Sequence, residues 1–469
     1  MRPRLVRIST VIAIGALVAG AGALPAAGAP AARPVEKVNP KDCPLSKLAK
    51  ATKPVDITFW EVQQAKNQDS LEALANQFNQ SQSKVRVNLV QIPSYDPDEI
   101  QKYLSGLKTG DLPDVAQFEE TTVQKLVDSG GTIPVDACIR ADRYSLRDFL
   151  PRGLAYYRTN GIQRSIPWSV SNPVLIYNQK AFDKAGITKP PATFTEMEAV
   201  SKKLVDAKIV EHGVALPIHA YFNEFFYAKG GRVYVNNRNG RAARATRANL
   251  DNSFGRQLWA WWKHMVDTGL MLNTGPNETG ADHLFALRDN HAAMTIEATT
   301  VLGPVLDAIQ SGQAENLSLA VAPLPGFRRP GGGVPVGDGS LWIVKHGDPV
   351  RRAAAWQWIK FLNRPENIAT FSIETGAIPM RKSAVALPAL QQFWQQHPEF
   401  RVGYDQLVSG PLTSATVGSL IGDYQGVREA VRSNINAMLT GGVAPATALR
   451  RAQQQADRAI ADYNDRLGI

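Results

Sequence analysis

Cysteine is nearly absent from this chain of 469 residues, which has only Cys43 and Cys138. The 7 histidines are scattered singly, and there is neither a CxxC nor an HxxxH pair, so no metal site is expected. Neither GxSxG nor HExxH occurs, which removes the serine-hydrolase elbow and the zinc-protease helix. Glu119 and Glu120 are adjacent carboxylates, but alternation on or just after a strand would point them apart, which suits an acid/base pair poorly. The Gly-rich GFRRPGGGVPVGDG (326–339) lacks GxxxxGK[ST] spacing and opens no helix, so it reads as a flexible connection. There is no repeat of fixed period. Catalysis, a metal and a cofactor are all unexpected on these grounds.

Long apolar runs are also missing, except at the N-terminus. MRPRLVR supplies three arginines, ISTVIAIGALVAGAGAL an apolar run and PAAGAPAA the small residues of a cleavage region. That is the layout of a secretory signal peptide over 1–29, cut after Ala26 or Ala29. An uncleaved N-terminal anchor is the rival reading, because the run approaches spanning length. Either way the remainder is expected outside the cytoplasm, in the periplasm or at the cell surface. In that compartment Cys43 and Cys138 read as one disulfide, two free thiols being the alternative. Charge before Cys43 in NPKDCP excludes a lipoprotein cysteine. The net charge of +10 is diffuse apart from RNGRAARATR (238–247). That run reads as a solvated loop, since no interleaved aromatics or nucleic-acid motif accompanies it.

What is present is ordinary globular text, 44% hydrophobic and 20% charged, long enough for two domains. Residues 30–54 read as an extended tether. Strands are expected at 55–60, 84–92 and 114–118, with helices at 70–81 and 98–110 between them, which indicates βαβ units and a mostly parallel sheet. The alternation resumes with strands at 174–178, 291–296, 319–325 and 340–345. Helices are expected at 193–207, capped by Thr193 or Thr195, at 254–270 and at 349–363, and a helical tail runs from Pro411 to Ile469.

Several strands end in aromatic plus polar residues: FWEVQQ (59–64), QFEETT (117–122), PWSVSN (167–172) and TIEATT (295–300). In open α/β sheets ligands collect beyond the carboxyl ends of the strands. Such a surface suits sugars and polyols, whose apolar faces stack on aromatics while their hydroxyls bond to carboxylates and amides. Trp259, Trp261, Trp262, Trp356 and Trp358 fall in amphipathic helices and read as packing. For Trp60 and Trp168, at strand edges beside polar residues, packing and binding are equally open.

The combination ITFWEVQQ, LANQFNQSQSKVRVNL, LKTGDLPDVAQFE, PWSVSNPVLIYNQKAFDKAGI, DNHAAMTIEAT, GDGSLWIVKHGDPVRRAAAWQWIKFLNRPEN and FSIETGAIPMRKSA resembles the extracellular solute-binding proteins, family 1, of carbohydrate ABC transporters, in their glycerol-3-phosphate- and maltodextrin-binding branches. The resemblance covers about residues 55–465. It implies an α/β fold of the periplasmic-binding-protein type II class: two lobes, a ligand cleft and three hinge crossings at PWSVSNP, TIEATT and PVGDGS. The lobes would be 55–166 plus 298–336, and 172–292 plus 342–469. It also implies a monomer that binds a carbohydrate or polyol without turnover, meets no nucleic acid and docks on an ABC permease. A receptor presenting its ligand to a membrane sensor kinase and a glycoside-active enzyme are the alternatives.

Carried over residue by residue, the resemblance assigns ligand contacts to Tyr95, Glu119, Ser171, Thr299 or its neighbour Ala298, and Gly337 or Asp338, with Glu297 beside them. Three have a plainer reading: Tyr95 under its loop, Glu297 capping a helix start, Asp338 in a turn. Glu119 is the strongest, because a carboxylate ending a buried strand requires a partner. Two departures stand out. Ala377 replaces a family Tyr, and Leu420 falls where a phosphate-binding Arg is expected, which disfavours a phosphate ligand.

Overall fold

Eleven strands build two sheets. In chain order they are β1 (Val55–Glu61), β2 (Val85–Gln91), β3 (Val115–Glu119), β4 (Thr132–Ile133), β5 (Ile166–Ser171), β6 (Pro173–Asn178), β7 (His212–Leu216), β8 (Met271–Asn273), β9 (Ala292–Ala298), β10 (Leu319–Pro323) and β11 (Gly337–Val344). The first sheet has the order β2-β1-β3-β11-β4, with β5 also paired to β11. The second has the order β8-β7-β9-β6-β10. β1 is parallel to β2 and β3, while β11 runs antiparallel to β3, β4 and β5, so the first sheet is mixed. This computed structural model describes residues 36–469, apart from 277–279, 329–330 and the side chains of Asp96 and Pro97. The expected signal peptide over 1–29 lies outside the described residues. No described helix is long and apolar enough to cross a membrane.

Local rules account for most elements. The Phe194–Asp206 helix starts at a capping box in which Thr193 and Glu196 satisfy each other's backbone donors. Asp348 caps the Pro349–Leu362 helix, with Pro349 at its first position. The helical tryptophans are core: Trp259, Trp262, Trp356 and Trp358 are fully buried.

Three expectations are corrected by non-local contacts. The 30–54 segment is packed from Val38 onward: residues 45–49 form a helix against the 349–362 helix, and Cys43, 1% exposed, is bonded to Cys138 across a separation of 95 positions. Strand 319–323, expected with the first lobe, pairs with β6 in the second sheet. Conversely, 342–344 belong to β11 of the first sheet, where Trp342 opposes Ala116, and the 349–362 helix packs on β1. Alternation reveals that a segment is a strand but not which distant strand completes its ladder.

The tail is not helical throughout either. Pro411, the Thr413–Thr416 turn bonds and Gly418 in the left-handed region delay the helices to Tyr424–Leu439 and Pro445–Arg466. The basic run 238–247 is a clasp rather than a solvated loop. Arg244 donates to both Asp128 oxygens (3.0 and 2.7 Å), and Arg241 donates to the carbonyls of Ala155, Tyr156, Arg158, Val417 and Gly418.

Candidate functional site

The chain passes from one sheet to the other within a single residue. Ser171 ends β5 in the first sheet, Pro173 begins β6 in the second, and Asn172 alone lies between them. Asn172 is fully buried and locked on every side. Its amide donates to the Gly403 carbonyl (3.0 Å), its side-chain oxygen accepts from Gln406 (3.0 Å), and its carbonyl accepts from Thr299 N–H (3.1 Å). Pro173 has no N–H to leave unpaired at this junction. After β9 the chain leaves the second sheet through a turn at Thr299–Val301 into the Leu302–Gln310 helix, which packs on the Ala65–Ser81 helix beside β2 of the first sheet. The third passage runs from β10 in the second sheet to β11 in the first.

A cavity of about 500 Å³ opens where these passages meet. One end is polar. Tyr95, Ser169, Thr300, Asp338 and Gln63 line it, the last two arriving from β11 and from the residues just after β1. They are joined by hydrogen bonds: Gln63 donates to Gln117 (3.0 Å) and Ser169 (3.3 Å), Gln117 donates to Tyr95 Oη (2.5 Å), and Thr300 donates to Asp338 Oδ2 (3.1 Å). Asp338 and Ser169 both hold φ near +60°, a region a non-glycine residue adopts at some cost. At Asp338 the bonding between β11 and β5 shifts register, and that irregularity turns its carboxylate into the cavity wall. Burial pushes the Asp338 carboxyl up to about 6; hydrogen bonds from Ser171 and Thr300 partly oppose the shift.

Behind this end lies a buried charge cluster. Arg428, on the Tyr424–Leu439 helix, donates from Nη1 to both oxygens of Glu119 (2.9 and 2.9 Å) and from Nε to Glu224 (2.8 Å). Its Nη2 lies 3.8 Å from Glu120. Three carboxylates thus share one guanidinium. Burial drives Glu224 up to about 7, with Arg428 partly opposing, and burial followed by the Glu119 charge drives Glu120 well above the carboxylate range. Glu119 therefore has a partner within the protein, because its strand ends beside a helix that presents an arginine.

The other expected contacts divide. Tyr95 and Asp338 line the cavity. Ser171, Gly337 and Thr299 adjoin it without lining it. Ser171 Oγ lies 3.4 Å from Tyr221 Oη, and a Cβ at Gly337 would sit 2.4 Å from that same hydroxyl. Thr299 is fully buried, its hydroxyl without a hydrogen-bond partner. Glu297 faces His283, whose Nε2 lies 2.8 Å from Oε2. Burial raises its pKa, but that contact and the Ala298 N–H outweigh it and hold the carboxyl below its usual range.

Trp60 and Trp168 leave the site altogether. Trp60 is 2% exposed, with Lys102 Nζ 4.6 Å above its ring. Trp168 packs on Phe59 and on Phe371, 4.6 Å between centroids for the latter. On β5 alternation sends Trp168 into the core while its neighbour Ser169 reaches the cavity, and Gln63 reaches it from beyond the end of β1, which carries Trp60. Ala377 and Leu420 are both buried. Among the described residues no group of three or more His, Cys, Asp or Glu side chains could hold a metal ion.

Gln63, Ser169 and Thr300 lie in the quoted strand-end motifs, so their sequence signal existed. Arg428, Glu224 and Tyr221 left no such signal, because their roles depend on helices meeting strands far away in the chain.

Comparison with known proteins supplies the family. Residues 73–402 match the family model described as bacterial extracellular solute-binding protein. The sn-glycerol-3-phosphate-binding periplasmic protein UgpB of Yersinia pseudotuberculosis is 26% identical over 432 residues, covering 88% of this chain and 94% of that protein. Among solved structures, the GacH receptor of Streptomyces glaucescens superposes with a TM-score of 0.73 at 19% identity, over 87% of this chain and 99% of that one. UgpB of Mycobacterium tuberculosis, solved with glycerophosphocholine, gives 0.72 at 19% identity, over 89% and 100%. With its two-sheet α/β fold and its cavity at the inter-sheet passages, this chain belongs to the bacterial extracellular solute-binding proteins, a family that binds solutes without turning them over.

Proposed function

We propose that the protein is the exported binding component of an ABC importer, taking up a carbohydrate or related polyol reversibly and delivering it to a membrane permease. One observation carries this reading: Gln63, Tyr95, Ser169, Thr300 and Asp338 converge on one cavity at the passages between the sheets. Hydroxyl, amide and carboxylate groups in that arrangement match a hydroxylated ligand, and a cavity of about 500 Å³ fits a small molecule. Rotation about the three passages would close the sheets on that ligand.

A phosphate group suits this cavity poorly. Its polar end carries the Asp338 carboxylate, Arg428 is already engaged by Glu119 and Glu224, and the lining Arg288 is paired with Asp289. A neutral or cationic hydroxylated ligand is the better match. Thermal-shift titration of the exported chain with sugars, amino sugars and glycerophosphodiesters tests the class. A binder raises the melting temperature with concentration by mass action. Response to amino acids or peptides alone would overturn the substrate class.

A further inference from the structure

The cavity has a second face that a free sugar leaves unused. Another part of its lining is aliphatic: Leu284, Leu287, Val301, Pro304 and Val305, from the Asp282–Arg288 helix and from the turn and helix that follow β9. At its edge stands Phe285, 48% exposed, one of few large apolar side chains left so open, with the Arg288 guanidinium 4.7 Å from its ring centroid. A hexose or polyol pressed on this wall would lose water from its hydroxyls without gaining partners. Nor does the wall offer a sugar-stacking platform. Phe285 is the one ring on the Asp282–Arg288 side, the other lining aromatic, Tyr95, is tied by Gln117 at the polar end, and Trp60 and Trp168 lie in the core.

Resting on the binding reading above, we propose that the ligand has two parts: a hydroxylated head held by Asp338, Thr300, Tyr95 and Gln63, and an apolar group laid along Leu284, Phe285 and the Val301–Val305 wall. The substrate class is then an alkyl- or aryl-substituted sugar or polyol rather than a bare sugar or a chain of several rings. The head sets orientation through directional bonds, and the apolar group adds affinity by leaving water.

Calorimetric titration of the full exported chain tests this with glucose, galactose, glucosamine and glycerol, each free, as its methyl derivative and as its n-hexyl derivative below micellar concentration. For any head that binds, affinity should rise about threefold to fourfold for each methylene buried. Phe285→Ser and Leu284→Ser, both at positions that are not fully buried, should flatten that rise, with thermal unfolding of the free variants checking their fold. Asp338→Asn should instead weaken every member of a series by one common factor. The proposal is overturned if the hexyl derivatives bind no tighter than the methyl ones. It is also overturned if neither serine variant changes the slope, or if n-hexanol alone binds as tightly as a hexyl derivative. Binding of no head in any form would overturn the sugar-or-polyol reading and this proposal with it.

Discussion

Replacing Arg428 by Met tests the charge cluster directly, because Met keeps an unbranched apolar stem and loses the guanidinium. Arg428 is 7% exposed and makes three short bonds, two at 2.9 Å to Glu119 and one at 2.8 Å to Glu224, with Glu120 nearby. Removing one partner of a buried ion pair costs about 3–5 kcal/mol, because the charge left behind is neither hydrated nor paired. The upper half of that range is expected at pH 8, where more than one carboxylate is orphaned. With a urea slope of about 3 kcal/mol per M, the unfolding midpoint should fall by about 1.3–1.7 M.

Acid should relieve the loss. Glu224 titrates at about 7 in the folded protein against 4.5 ordinarily, so the folded state binds more protons than the unfolded one across that window. A carboxyl raised on folding therefore destabilises as pH rises from about 4.5 through 7, and removing Arg428 widens the window upward. At pH 5 the variant should lose less than half of what it loses at pH 8. Urea unfolding followed by circular dichroism and tryptophan fluorescence reads both values. A midpoint shift below about 0.3 M at pH 8, or equal shifts at the two pH values, would refute the reasoning. Combining Arg428→Met with Glu119→Gln should recover part of the loss at pH 8, since one orphaned charge is then gone.

Two further outcomes are expected. Asp338 titrates at about 6 in the free protein, so a ligand that donates to its ionised carboxylate should bind with constant affinity above that pH. Below it, affinity should fall by up to about tenfold per pH unit, a dependence that Asp338→Asn removes; affinity that stays flat between pH 5 and 8 contradicts the assignment. Pairing Cys43 with Cys138 closes a loop across 95 positions, so the double serine variant should lose roughly 4–5 kcal/mol in the chain-entropy description. A loss below about 1 kcal/mol in urea unfolding would mean that the packed 38–54 segment holds itself in place without the bond.

Much of the site was legible at the level of chain segments. FWEVQQ, PWSVSN and TIEATT each contribute a cavity residue, and Tyr95 and Asp338, to which the resemblance pointed, line the same cavity. The aromatic residues of those motifs were the misleading part. Trp168 alternates with the cavity-lining Ser169, and a pattern of period two cannot say which of the two faces the cavity until the sheet's two sides are known; Trp60 sits on β1, whereas Gln63 follows its end. The Arg241 and Arg244 clasp was illegible for a related reason: a basic run reads as solvated unless its acidic and carbonyl partners, more than eighty positions away, are in view.

Local chemistry in the sequence was therefore enough to determine strands, caps and the abrupt change of text around Asn172, because each depends on a few neighbouring residues. Tertiary structure decided which sheet received β10 and β11, that Arg428 already holds Glu119, and that the cavity pairs a polar end with an aliphatic wall. Those outcomes rest on contacts between segments hundreds of residues apart. Their energies depend on burial and partner geometry, which exist only once the two sheets are assembled.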